Sequence, residues 1–164
     1  MRTLSEYINE SEYNFKLNYN LKTKDILKIC ENNFELFKNN FEKNNNSFPY
    51  VGQNDVNYIV IECGKDICGI LAYAYHDKLS EYRENHEDNK HNEYAHIFDL
   101  EVSKKYQGKK LSEKLINACI DECKKKNESG ITLQAIDEKV EYMYDRKFGF
   151  KTYDSKSRYM ALNL

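Results

Sequence analysis

Residues 97–122 read IFDLEVSKKYQGKKLSEKLINACIDE, and this stretch decides the fold. An apolar run ends at Val102, and a turn rich in Lys with a single Gly follows. At once Leu111, Leu115, Ile116, Cys119, Ile120 and Cys123 recur at the spacing of one helical face. In such a strand-to-helix turn the backbone N–H groups of the loop and of the first helical turn converge on one point. That point lies at the positive end of the helix dipole and suits a phosphate or pyrophosphate. Lys109 and Lys110 add positive charge beside it. The spacing is neither the G-x-x-x-x-G-K-[ST] of a P-loop nor the G-x-G-x-x-G of a dinucleotide-binding turn.

Outward from this segment, the pattern predicts a mixed α/β chain in the order β-α-β-β-β-α-β-α-β-β. On its N-terminal side, Tyr94 to Val102 reads as a strand, as do Asn57 to Cys63 and Ile67 to His76, the latter two joined by a GKD turn. The Ile67 run is apolar at nearly every position, which predicts cover on both faces. Tyr13 to Tyr19 alternates as a half-buried strand, Asp25 to Phe41 carries helical spacing, and the following polar tract with Pro49 and Gly52 reads as a loop. Towards the C-terminus, Asn127 to Gly130 ends the helix with Gly130 as its stop, and Ile131 to Ala135 is a buried strand. Val140 to Lys147 is helical, and a last hairpin has arms Phe150 to Tyr153 and Arg158 to Leu162.

The chain of 164 residues is the length of one ordinary domain, with 40% hydrophobic residues to fill one core. A net charge of −2 excludes a chain-wide basic field, so neither nucleic acid nor an anionic membrane is expected as a partner. No apolar stretch approaches a membrane span or a signal peptide, which predicts a soluble, single-domain (1–164), cytoplasmic protein. The five cysteines (Cys30, Cys63, Cys68, Cys119 and Cys123) are odd in number and read as small core fillers. Cys119 and Cys123, four apart on a predicted helix, could share a metal, but no His or second Cys pair stands at a spacing that completes four ligands, so no metal is expected. Asp77 to Glu93 is almost wholly polar. It reads as a solvated hairpin tip or as an acidic rim, through Glu81, Glu84, Glu87 and Asp88, that attracts a cation.

Gln107-Gly108-Lys109-Lys110-Leu111-Ser112 resembles the acyl-coenzyme A motif Q/R-x-x-G-x-G/A of the GNAT superfamily of N-acetyltransferases. Tyr144 to Phe150 (YDRKFGF) is similar to that family's Y-E-K-L-G-F helix end, and with the order of elements the resemblance spans roughly residues 10 to 164. It implies a GNAT-like α+β fold. The expected sheet is mixed but mostly antiparallel, with six to seven strands, three to four flanking helices and a splay between the fourth and fifth strands. It also implies transfer of an acetyl group from acetyl-CoA to a primary amine by direct attack in a ternary complex. The acceptor would be a small molecule, a polyamine or a protein or peptide amine. The alternative is a GNAT-like module that holds coenzyme A without catalysis, as a sensor or assembly partner; a weaker one is a general nucleotide-binding protein.

The resemblance also implies site residues. Leu100, Val102, Gln107, Gly108, Lys109, Lys110, Leu111 and Ser112 would hold the cofactor. Lys110 stands where the motif has Gly, and Ser112 where it has Gly or Ala. The loop binds through backbone N–H groups, which Lys keeps. A left-handed Lys110 would cost about 1 kcal/mol. For the general acid, the family's Tyr falls on Asp145 when counted back from FGF; Tyr144, one step away, and Tyr142, one turn earlier, are the candidates. On the fourth strand the candidate bases are His96, Asp99 and Glu101, alternating in and out with the pleat. His96 stands where some members carry a catalytic Glu. The terminal hairpin offers an edge for pairing as a homodimer.

Overall fold

The computed structural model describes residues 15–21, 56–64, 66–79 and 89–164. These form strands β1 (Phe15–Leu21), β2 (Asn57–Cys63), β3 (Asp66–Ala74), β4 (Tyr94–Val102), β5 (Gly130–Gln134), β6 (Lys151–Asp154) and β7 (Tyr159–Asn163). Two α-helices, α1 (Leu111–Lys125) and α2 (Glu138–Phe148), lie among them, with 3-10 turns at His76–Lys78, Asn89–His91 and Lys104–Tyr106. The sheet has seven strands in the order β1-β2-β3-β4-β5-β7-β6. It is mixed: β4 and β5 run parallel, whereas β1 with β2, β5 with β7, and β6 with β7 are antiparallel. Two helices among the described residues are fewer than the three to four expected. The anticipated Asp25 to Phe41 helix, the loop after it and most of the acidic stretch lie outside those residues.

The chain divides into two compact units, one holding β1, β2, β3 up to Leu71 and Leu100–Ile116, the other Ala72–Asp99 and Asn117–Leu164. In the first, Tyr58, Ile59, Val60 and Ile61 of β2 and Ile67, Cys68, Ile70 and Leu71 of β3 are buried, so both runs are covered on both faces. Leu111, Leu115 and Ile116 of α1 and Tyr106 of the loop join this core. Each such side chain contributes roughly 1.5–3 kcal/mol of transfer free energy.

In the second unit, Ala95 and Ile97 of β4, Ile131 and Leu133 of β5, Met160 of β7 and Phe150 form a core with Cys119 and Cys123 of α1 and Tyr144 of α2. The parallel ladder runs from Tyr94↔Gly130 to Ile97↔Leu133, whereas β4 itself continues to Val102. The two strands therefore part after four pairs, and β4 turns from buried to half-buried at Phe98. Helix α2 is capped at both ends. The Asp137 carboxylate accepts from the Val140 N–H at 2.8 Å, and Gly149, at φ +82°, turns the chain out of the helix.

Two local expectations are corrected. The third strand stops at Ala74, and His76 opens a 3-10 turn instead of ending the strand. Its main-chain N–H and Nδ1 both bond the buried carboxylate of Glu128, so the chain is drawn out of the sheet there. Helix α1 is stopped by Asn127 at φ +59°, not by Gly130. The Asn127 N–H reaches the Lys124 carbonyl and the Glu128 N–H the Cys123 carbonyl, a Schellman closure. Gly130 instead begins β5 beneath the Tyr94 ring.

Candidate active site

The loop after β4 is built by short-range bonds. The Ser103 N–H donates to the Cys68 carbonyl at 2.8 Å, which ties the end of β4 to β3. The Tyr106 N–H then donates to the Ser103 carbonyl, and the buried Tyr106 ring anchors the turn in the core. Beyond it the backbone is left-handed twice, at Gly108 (φ +81°) and at Lys110 (φ +57°). Left-handed residues next to ordinary ones turn successive N–H groups towards a common centre, an anion-binding concavity. The first α1 hydrogen bond is Lys114 N–H to Lys110 carbonyl, so the N–H groups of Leu111 and Ser112 precede the helical ladder. A Cβ on Gly108 would meet nothing within 4 Å, so no protein atom crowds the loop at that point. Gln107, Gly108 and Lys110 are exposed, Lys109 and Ser112 half-buried, and Leu111 buried. Leu100, Glu101 and Val102, on the end of β4, are half-buried, and the Glu101 Oε2 atom is out of contact with solvent.

The second unit holds the remaining candidates, and the pleat separates them. His96 is buried on the face it shares with its register partner Thr132, and its Nδ1 lies 2.8 Å from the Thr132 hydroxyl. The rings of Phe98 (centroids 5.0 Å apart) and Tyr159 (6.5 Å) fix its orientation. Asp99, an odd number of residues along β4, is on the opposite face. Tyr144 feels the field of Asp99. Its ring packs against Phe150 (5.8 Å) and Phe148 (6.3 Å), and burial first, then the Asp99 charge, push its phenol up to about 12. Tyr144 is therefore a neutral O–H donor at physiological pH. Tyr142, two residues away on α2 and turned by about 200°, is 63% exposed, with the Arg146 guanidinium 5.6 Å from its ring centre. Of the two tyrosines, only Tyr144 is held by packing.

Thr132 carries a polar contact to His96 that motif reading missed. Its signal was present, because ITLQA buries one hydroxyl among apolar neighbours, but the partner is fixed only by the β4–β5 register. Burial holds the Cys119 thiol well above the ordinary range, and Cys123 adds to that, so Cys119 is not a thiolate nucleophile. Among the described residues, no group of three or more His, Cys, Asp or Glu is arranged to hold a metal ion. Among them, too, no helix is long and apolar enough to cross a membrane.

The parallel β4–β5 pair thus parts after four residue pairs, and the chain beyond β4 forms a left-handed loop at the start of α1. The sequence model of the acetyltransferase (GNAT) family matches residues 22–150, and the chain belongs to that family. Solved structures share the fold at low identity. A GNAT-family acetyltransferase from Staphylococcus aureus is 19% identical, with a TM-score of 0.64 over 92% of this chain and 99% of that one. An aminoglycoside acetyltransferase from an uncultured soil metagenomic sample, in complex with sisomicin, is 23% identical, with a TM-score of 0.58 over 86% and 90%. The PaiA N-acetyltransferase of Thermoplasma acidophilum, in complex with coenzyme A, is 15% identical, with a TM-score of 0.59 over 92% and 99%. No curated protein matches the chain.

Proposed function

We propose that this chain is an N-acetyltransferase that moves the acetyl group of acetyl-CoA to a primary amine by direct attack. The observation that carries the reading is Lys110 at φ +57°. A Lys holds the left-handed backbone that the motif usually gives to Gly, at about 1 kcal/mol of strain. The chain bears that cost with the N–H groups of Gly108, Lys110, Leu111 and Ser112 in one short loop, the donor set a diphosphate requires. Gln107, Lys109 and the end of β4, Leu100 and Val102, complete the proposed cofactor contacts. Complexes of relatives with coenzyme A support the same ligand.

When bound, acetyl-CoA supplies an activated thioester carbonyl. The chain's own part is to orient the amine, to take its proton and to give one to the leaving sulfur. His96 is proposed as the base; Tyr144, which lies beside Asp99 on the other face of β4, is proposed as the acid of an alternative arrangement without His96, with Tyr142 and Glu101 as the other candidates. The acceptor is proposed to be a small-molecule or peptide amine; sisomicin, an amine-bearing aminoglycoside, is seen with one relative.

The test is release of free thiol from acetyl-CoA with a panel of polyamines, aminoglycosides and Lys peptides. Turnover with one class, reduced about a hundredfold or more in His96→Gln, is expected. One observation favours a second reading, a coenzyme A-holding module without chemistry: Tyr144 is packed between Phe148 and Phe150 as a core residue. That reading predicts cofactor binding with no thiol release for any amine.

A further inference from the structure

We infer that Thr132 is a positioning residue that sets the tautomer of His96, placing the imidazole proton on Nδ1 and the lone pair on Nε2. The inference rests on the reading of His96 as the base. The Thr132 hydroxyl makes two contacts: it donates to the Ala95 main-chain carbonyl at 3.2 Å and lies 2.8 Å from His96 Nδ1. A hydroxyl has one proton and two lone pairs, and a carbonyl oxygen has no proton to give. When the Ala95 contact is a donation it uses the Thr132 proton, and the Nδ1 contact then uses a proton that belongs to Nδ1. The opposite arrangement would turn a hydroxyl lone pair towards the Ala95 carbonyl oxygen at 3.2 Å inside a buried site.

The geometry that enforces this is part of the fold. His96 and Thr132 are register partners on the parallel β4–β5 ladder, and both are buried. The Ala95 carbonyl belongs to the residue just before His96, so a shift of the ring relative to Thr132 would disturb all three groups together. Phe98 and Tyr159 hold the ring from the sides. A neutral imidazole can accept a proton only at the nitrogen that lacks one. In water the Nε2–H form is the commoner tautomer, so without Thr132 much of the population would present the wrong nitrogen. Threonine at this position thus selects the form in which Nε2 can act on an amine.

The test is carried out on the full chain labelled with nitrogen-15. Long-range proton–nitrogen correlation spectra at about pH 8.5, where an ordinary imidazole is neutral, read the tautomer of His96, assigned by its loss in His96→Gln. The wild type is expected to show Nδ1 protonated and Nε2 bare. Thr132→Val is expected to move His96 towards the Nε2–H form and to lower kcat about tenfold or more, with KM for acetyl-CoA unchanged. Thr132→Ser, which keeps the hydroxyl, is expected to restore both. A wild-type spectrum with Nε2 protonated overturns the inference whether or not the variants fold, as does a Val variant that folds and keeps the wild-type tautomer. If the spectra behave as expected but His96→Gln retains full activity, the tautomer assignment stands and Thr132's part in the reaction is overturned, together with the base reading.

Discussion

Gly108 and Lys110 share a left-handed backbone but differ in what the side chain costs, and substitution can separate backbone strain from contact. At Gly108 an added Cβ meets nothing within 4 Å, so Gly108→Ala is expected to cost only the left-handed penalty, about 1 kcal/mol in urea unfolding. A loss of 3 kcal/mol or more would mean that the loop is packed in a way the structure does not have. Tyr144 gives a second residue-level test. Its phenol is raised from 10.0 to about 12 on folding, so between those values the folded state keeps a proton that the unfolded chain has lost. Stability from this group is complete below pH 10 and falls as pH rises towards 12. Tyr144→Phe should therefore remove part of the alkaline loss, roughly 2–3 kcal/mol by pH 12, in unfolding curves compared at pH 9 and pH 12. Equal alkaline losses in the two proteins would contradict the burial argument.

Elements are held by their ends and by close approaches. Asp137 accepts the Val140 N–H at the start of α2, and Asp137→Ala is expected to cost about 1 kcal/mol of unfolding free energy. At Gly130 a Cβ would fall 2.2 Å from the Tyr94 ring and 2.5 Å from the Leu162 carbonyl oxygen. The ring can move but the backbone of β7 cannot do so cheaply, so Gly130→Ala should cost roughly 2–4 kcal/mol and lower Tm, with little rescue by Tyr94→Ala. The same elements show what a sequence makes legible. The bounds of β2 and β4 were readable to the residue because their apolar runs stop at turn residues. Helix α1 was readable as Leu111 to Lys126, within one residue of its end at Lys125, but the residue that stops it was not. Gly130 looked like the stop, whereas Asn127 takes the left-handed position and leaves Gly130 to pass under a ring 36 residues earlier in the chain. His76 was read as strand for a similar reason, since the Glu128 carboxylate that pulls it away is remote in sequence.

At the scale of the whole molecule, the succession of strands along the chain was legible, and so was the position of the turn at Gln107 to Ser112 between β4 and α1, because both depend on local pattern. The candidates for acid and base were harder to separate, because that depends on which face each residue meets after the sheet has formed. His96 and Asp99 are three residues apart and fall on opposite faces. Tyr144 and Tyr142 are two apart, one packed and one exposed. Thr132 gains its partner only when β4 and β5 pair in parallel register. The central claim, that the peptide N–H groups of this loop hold the diphosphate of an acyl-coenzyme A, is tested most directly by titration calorimetry of the folded chain with acetyl-CoA. The account predicts one saturable site, with Kd between about 1 µM and 1 mM. Absence of heat with folded protein at millimolar acetyl-CoA and coenzyme A would contradict it.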